Sequence, residues 1–230
     1  MAVHTIGVIR VLTTSNPQVL EAHGRLIERT FGELRVVSRC LPDLPKGVFS
    51  QETLGIAEAG IVGTGQALIG EGAEALIVSC MMDPGVGLLR KHVSVPVVGA
   101  GSAGAAVALA YGGKVGLLGI SDEAPEPVAR VLRETLVGVA RPAGAQTTLD
   151  LLNSNAQSAV YPAAAQLLEQ GADAILLGCT GFSTIGIAPV LQARCKVPVI
   201  DPVLASGLLA WHAVRNVGGP DPASFTARAS

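Results

Sequence analysis

The sequence predicts an α/β protein built from two similar Rossmann-like lobes related by a pseudo-two-fold, each a parallel sheet flanked by helices. Three observations predict it. Apolar, β-rich runs alternate with helical stretches along the chain, the pattern of parallel sheets with helices on both faces. Residues 71–80, EGAEALIVSC, and 170–179, QGADAILLGC, are identical at four of ten positions, so the chain repeats itself. With 28 Gly, 49% hydrophobic and only 3% aromatic residues, the composition suits close strand–helix packing.

Taken in order, Thr5–Leu12 reads as a first strand. Asn16-Pro17 supplies an N-cap and a first helical position, opening a helix to about Phe31. Leu34–Ser38 is a strand, Cys40–Ser50 a loop holding Pro42 and Pro45, and Gln51–Gly70 a helix by its periodicity. Ala75–Val78, Val95–Val98 and Val115–Leu118 read as buried strands, with helices over Ala103–Tyr111 and Pro125–Val137. A helix over Ala156–Gln170, strands at Ala174–Leu177 and Val197–Ile200, and a helix over Leu204–Val214 complete the pattern. The repeat extends further: Ile6-Gly7-Val8-Ile9 answers Val115-Gly116-Leu117-Leu118, and Val95-Pro96-Val97-Val98 answers Val197-Pro198-Val199-Ile200. The expected division is 1–98 with 205–217 for the first lobe, 99–204 for the second, and a flexible Gly/Pro/Ser-rich tail over 218–230.

Composition narrows the function. Sixteen Lys and Arg against 18 Asp and Glu give a net charge of −2, which offers no basic excess for a nucleic-acid partner. High apolar content with low charge excludes intrinsic disorder, and four cysteines are too few for a secreted disulfide scaffold. The segment Met1-Ala2-Val3-His4-Thr5 lacks a basic leader, and the uncharged run Val93–Gly113 is broken by Pro96 and five glycines, so it reads as strand, loop and helix and not as a membrane span. A cytoplasmic location with free thiols is the expectation, and a small molecule the expected partner. Metal binding is disfavoured, because no Cys-x-x-Cys exists and the four histidines are scattered.

Each half carries a cysteine just past an apolar strand, in Cys80-Met81-Met82-Asp83-Pro84-Gly85 and in Cys179-Thr180-Gly181-Phe182-Ser183. In parallel sheets ligands gather at that carboxyl edge. A single such cysteine is most simply a small buried hydrophobe. Two on repeated halves would face each other across one cleft, each beside a turn whose backbone amides stabilise negative charge. Cys40 and Cys195 lack this setting. Two opposed thiols suit racemisation: one removes a proton from an acidic carbon, and the other returns one to the opposite face.

The two cysteine turns carry a resemblance. Ser79-Cys80-Met81-Met82-Asp83-Pro84-Gly85 and Gly178-Cys179-Thr180-Gly181 resemble those of the aspartate/glutamate/hydantoin racemase superfamily, most of all its hydantoin racemase-like branch, over the chain to about Val217. The resemblance implies a cofactor-independent isomerase with its active site in the inter-lobe cleft, Cys80 and Cys179 as the acid/base pair, and a homo-oligomer. Thr14, Ser15, Met81, Thr180 and Gly181 are the candidate substrate-binding residues. Amino-acid racemases of this superfamily usually carry His two residues after the second cysteine, where this chain has Gly181, and glutamate racemases an acidic residue in the first loop, where it has Thr13-Thr14-Ser15-Asn16. Fewer helpers suit a more acidic carbon, such as C5 of a 5-substituted hydantoin. An Asp/Glu-type racemase or a cis–trans isomerase of the same superfamily is the alternative; a decarboxylase would be expected to keep one cysteine.

Two further patterns compete. Gly99-Ala100-Gly101-Ser102-Ala103-Gly104 is a formal dinucleotide fingerprint, with Asp122 at about the distance of a ribose-binding acid, which would imply an NAD(P) enzyme. The same letters approximate a hydrolase elbow around Ser102, with His212 as its histidine. Ser102 as a helix N-cap explains them more simply, and Asp83 reads as a turn or cap residue before Pro84-Gly85.

Overall fold

The computed structural model describes residues 3–216. The tail expected over 218–230, and Val217, lie outside them. Strand β1 (His4–Arg10) leads into α1 (Pro17–Leu20), α2 (Ala22–Thr30), β2 (Leu34–Cys40), α3 (Gln51–Gly70), β3 (Ala75–Ser79), α4 (Val86–His92) and β4 (Val97–Gly99). There follow α5 (Ala100–Tyr111), β5 (Val115–Leu118), α6 (Glu126–Leu132), β6 (Leu136–Ala140), α7 (Ser154–Ser158) and α8 (Val160–Glu169). The order ends with β7 (Ala174–Leu177), α9 (Gly181–Thr184), α10 (Ala188–Cys195), β8 (Val199–Ile200) and α11 (Pro202–Asn216).

The strands form two four-stranded sheets, ordered β2-β1-β3-β4 and β6-β5-β7-β8, and every pairing is parallel. The second order is the first repeated, so the internal sequence repeat is a repeat of topology. Gly7 and Gly116 hold matching places in the first strand of each half. A Cβ on Gly7 would stand 2.7 Å from Leu76 and 3.0 Å from Leu68; one on Gly116 would stand 2.8 Å from Leu167. In both halves the missing side chain lets a helix, α3 or α8, lie down on the sheet.

Two helices exchange between the halves. α5 follows β4 of the first sheet, yet Ala103, Ala105 and Ala108 pack with Val115, Leu117, Ala174 and Leu176 of the second. α11 follows β8 of the second sheet, yet Val203, Ala210 and Val214 pack with Ile6, Val8, Ala75 and Ile77 of the first. The two helices also pack on each other. Small residues on α5 permit the approach: a Cβ on Gly104 would stand 3.2 Å from Pro202 of α11 and 2.9 Å from Leu176 of β7.

Some local expectations change. Asn16 does cap α1, accepting from the Gln18 amide at 2.9 Å, but the helix breaks at Glu21 and restarts as α2. The helix expected over Pro125–Val137 stops at Leu132, and a 3-10 turn over Arg133–Thr135 leads into edge strand β6. Arg133, at φ +49°, breaks the helical path there. Ser102 is not an N-cap. α5 begins at Ala100, and Ser102 lies in its first turn.

The first turn of α5 is instead closed from a distance by Asp83. Its Oδ1 accepts from Gly101 N at 2.7 Å and its Oδ2 from Ser102 N at 2.9 Å. A carboxylate there satisfies amides that have no partner within the helix and complements the helix dipole. Gly99 and Gly101 make room: a Cβ on the first would overlap the Asp83 carboxylate, and one on the second the Met81 carbonyl oxygen. The dinucleotide-like glycines therefore serve the docking of the Cys80–Asp83 turn onto α5, and the helix N-terminus that would cradle a phosphate already holds a carboxylate.

Gly101→Ala is expected to lower stability by about 2 kcal/mol, the cost of overpacking against backbone. Gly63→Ala, on α3 with nothing within 4 Å of the new Cβ, should raise it by about 0.5 kcal/mol. Thermal unfolding followed by circular dichroism checks both; an unaffected Gly101→Ala melting curve would remove the packing account of the motif.

Candidate active site

Strands β3 and β7 are buried along their full length and end one residue before Cys80 and two before Cys179. The chain can turn only where the core stops, so both cysteines emerge at the carboxyl edges of their sheets. Both line one cavity of about 900 Å³, together with Met81, Met82, Asp83, Gly178 and Thr180. Val11, Val48, Phe49, Leu54, Val86 and Ile120 give that cavity an apolar flank. The geometry thus brings the two thiols from equivalent turns of the two halves into a shared space. All four cysteines are free.

The other candidate residues divide. Met81 and Thr180 line the cavity. The Thr180 hydroxyl is turned away, donating to the Ser79 carbonyl oxygen at 3.2 Å, and so ties the second cysteine turn to the first. Gly181 is not in the lining; its amide donates to Cys179 Sγ at 3.4 Å. Thr14 and Ser15 are also outside the lining, because that loop is organised as a helix cap: Thr14 Oγ1 accepts from Asn16 N at 3.1 Å. Ser102 and His212 do not form a nucleophile–base pair: Ser102 Oγ donates to the Gly99 carbonyl, and His212 lies exposed on α11.

Three residues of the site were not singled out from the sequence. Thr148 begins a short 3-10 helix over Thr148–Leu152, and its hydroxyl lies 3.7 Å from Cys179 Sγ. The Thr147/Asp150 capping box before it was the available signal. Arg10 ends β1 with 3% of its surface exposed; it donates to the carbonyls of Val19 and Leu20 at 2.6 and 2.9 Å, at the end of α1. A charge inside an apolar strand run was its signal. His23 is buried between the halves.

The thiols differ electrostatically. Burial pushes Cys80 up to about 12; the Met82 amide opposes this, while the charges of Cys179 and Asp83 add to it. Burial raises Cys179 as well, but the Gly181 amide, the Thr148 hydroxyl and the Arg10 charge all favour its thiolate. Arg10 itself is lowered to about 10 by burial and remains a cation at neutral pH. Burial raises the Asp83 carboxyl, and the amides of Ser102 and Gly101 oppose that. No group of three or more His, Cys, Asp or Glu that could hold a metal occurs among the described residues. No helix among them is long and apolar enough to cross a membrane.

The profile of the Asp/Glu/hydantoin racemase family matches residues 6–207. No curated sequence matches the chain. Among solved structures, an allantoin racemase from Klebsiella pneumoniae is similar with TM-score 0.77 and 23% identity, covering 92% of this chain and 88% of its own. An allantoin racemase from Pseudomonas fluorescens gives TM-score 0.79 and 22% identity, covering 92% and 91%. A glutamate racemase from Bacillus anthracis gives 0.68 and 18%, covering 94% and 83%. These likenesses show the two-lobed α/β fold.

Thr148→Val removes a hydroxyl that favours the ionised form of Cys179. Its alkylation by iodoacetamide at neutral pH should slow by roughly tenfold, the worth of one hydrogen bond to a charged group. Its rate profile should also move to higher pH. Peptide mapping of the alkylated protein checks this; an unchanged profile would detach Thr148 from the site.

Proposed function

The chain belongs to the Asp/Glu/hydantoin racemase family, a family of isomerases, and we propose that it racemises an acidic carbon with Cys80 and Cys179 as opposed acid and base. The observation that carries this reading is that two thiols, on equivalent turns of two repeated halves, line one cavity. Binding alone does not call for them.

The pair works with one proton between its members. Of the two, Cys179 is better placed to carry the negative charge: an amide, a hydroxyl and the Arg10 charge oppose the burial that raises it, whereas at Cys80 the Asp83 charge adds to burial. Cys179 thiolate removes the proton from one face of the substrate carbon. Cys80 delivers its own proton to the other, and the roles then reverse for the opposite enantiomer. Backbone amides of the two turns, at Met81 and Thr180, are the proposed donors to the carbonyl oxygen on which charge develops.

The substrate we propose is a 5-substituted hydantoin or a related cyclic amino-acid derivative. A free amino acid needs extra help to lose its α-proton, and two of the charged side chains lining the cavity are occupied elsewhere. Asp83 is held by the α5 amides, and Arg90 by the Val97 carbonyl at 2.9 Å. An imide ring acidifies its own carbon, and the apolar flank of Val48, Phe49, Leu54 and Val86 suits a hydrocarbon substituent.

In D2O, each enantiomer of a 5-benzylhydantoin should exchange its C5 proton and racemise, whereas aspartate, glutamate and maleate should not react. Exchange with aspartate or glutamate alone would return the reading to an amino-acid racemase, and turnover of maleate to a cis–trans isomerase.

Cys80→Ser and Cys179→Ser should each lose at least about a hundredfold in racemisation, the worth of one positioned acid or base. Each variant should retain exchange of only one enantiomer, the two being mirror images in preference. Near-normal two-way racemisation by either variant would show that its cysteine is a buried hydrophobe. For the native enzyme kcat/KM should rise with pH on the acid side, because burial raises both thiols and one proton must leave the pair before it can act.

A further inference from the structure

One buried titratable group takes no part in the thiol chemistry described above. His23 stands on α2 with 1% of its surface exposed. Its Nδ1 lies 2.8 Å from Ser79 Oγ and its Nε2 3.0 Å from Thr184 Oγ1. Ser79 is the residue immediately before Cys80. Thr184 ends α9, the helix that opens directly after Cys179-Thr180. The ring therefore spans from one cysteine turn to the other, and α2 packs on α9 along the same line.

The chemistry of the contacts fits a fixed bridge. A neutral imidazole has one donor and one acceptor nitrogen, and a hydroxyl can serve either. One tautomer thus satisfies both partners with no charge buried. Desolvation and the nearby Arg10 charge outweigh the Thr180 main chain beside the ring and hold it well below its ordinary value, so it stays neutral. The Thr180 hydroxyl meets the Ser79 carbonyl from the other half. Ser79 is thereby gripped twice, at its side chain and at its main chain. A planar ring with two side-chain torsions transmits position better than a flexible amide of the same reach.

We propose that His23 is a positioning residue, a neutral strut between Ser79 and Thr184 that fixes how Cys80 and Cys179 face each other. The proposal rests on the two-thiol reading of the cavity. The strut touches neither thiol. It acts through the residue preceding one and the helix following the other, so its loss should misplace the thiols without emptying the cavity.

His23→Asn retains an amide near the Nδ1 position and leaves Thr184 unmet; Thr184→Val removes the same bond from its other end. Each should lower kcat by roughly tenfold to a hundredfold, the scale of a misplacement of about 1 Å, with KM changed less than about threefold. The double variant should be no worse than the worse single, because both remove one interaction. His23→Gln, which can reach the Nε2 position, should recover part of the loss. A readout without turnover separates the strut from the reaction. Bridging of Cys80 and Cys179 by 1,3-dibromoacetone should proceed in the native protein and fall about tenfold in Thr184→Val, the same scale of misplacement. Single alkylation of each thiol should barely change. Additive losses in the double variant, or unchanged bridging and kcat with only a lower melting temperature, would overturn the strut and leave His23 a packing residue. Should His23→Asn fail to fold, Thr184→Val and Ser79→Ala keep the ring in place and carry the test. If no candidate substrate exchanges, the racemase reading falls, and the bridging yield still decides whether the strut exists.

Discussion

The hydrogen bond from the Thr180 hydroxyl to the Ser79 carbonyl oxygen joins residues next to Cys80 and Cys179 across the boundary between the halves. The arrangement of the site depends on this kind of contact. Each sheet by itself places a cysteine at its carboxyl edge, but nothing within a sheet fixes where the other edge stands. Opposed acid–base chemistry needs that relation held closely, because a proton is taken from one face of a planar intermediate and returned to the other. Main-chain and hydroxyl partners fix the relation without placing extra charge in a buried region, where an unpaired ion is costly.

Within this repeated frame the electrostatics are not repeated. Arg10, a buried cation of the first sheet held by the carbonyls at the end of α1, favours charge on Cys179, and Asp83, held by the amides at the start of α5, disfavours it on Cys80. Each charge completes the hydrogen bonding of a helix end and also sets a field at a thiol. Topological symmetry supplies two equivalent positions, and the charges make the two thiols unequal. In the proposed pair, mutual repulsion is what leaves one proton between the thiols, and the unequal fields bias which of them holds it.

The alternation of elements and the repeat were legible because each rests on local signals. Buried parallel strands are short uninterrupted apolar runs, and helices α3, α8 and α11 are long enough to show their period. Strand β6 was not legible. It is a half-buried edge strand entered through Arg133 at positive φ, and its residues continue the apolar spacing of the helix before it. The cysteines were legible as a pair only because the halves repeat. Asp83 was visible as a cap residue, but its helix was not, since α5 is distant in sequence. Thr148 and His23 make contacts 31 and 56 residues away along the chain, and no window of sequence displays such partners.

The exchange of α5 and α11 between the sheets bears on how such a molecule can be divided. Each sheet has one face covered by a helix that belongs, by chain order, to the other half. A cut between the sheets would leave each fragment with a bare apolar face and a displaced helix. A single half could cover that face by lending its last helix to a second copy and receiving that copy's helix in return. The present chain has the geometry of such a helix-swapped dimer joined end to end. In that arrangement two identical cysteines would already meet across the two-fold, and joining the copies is what allows Arg10 and Asp83 to make them different.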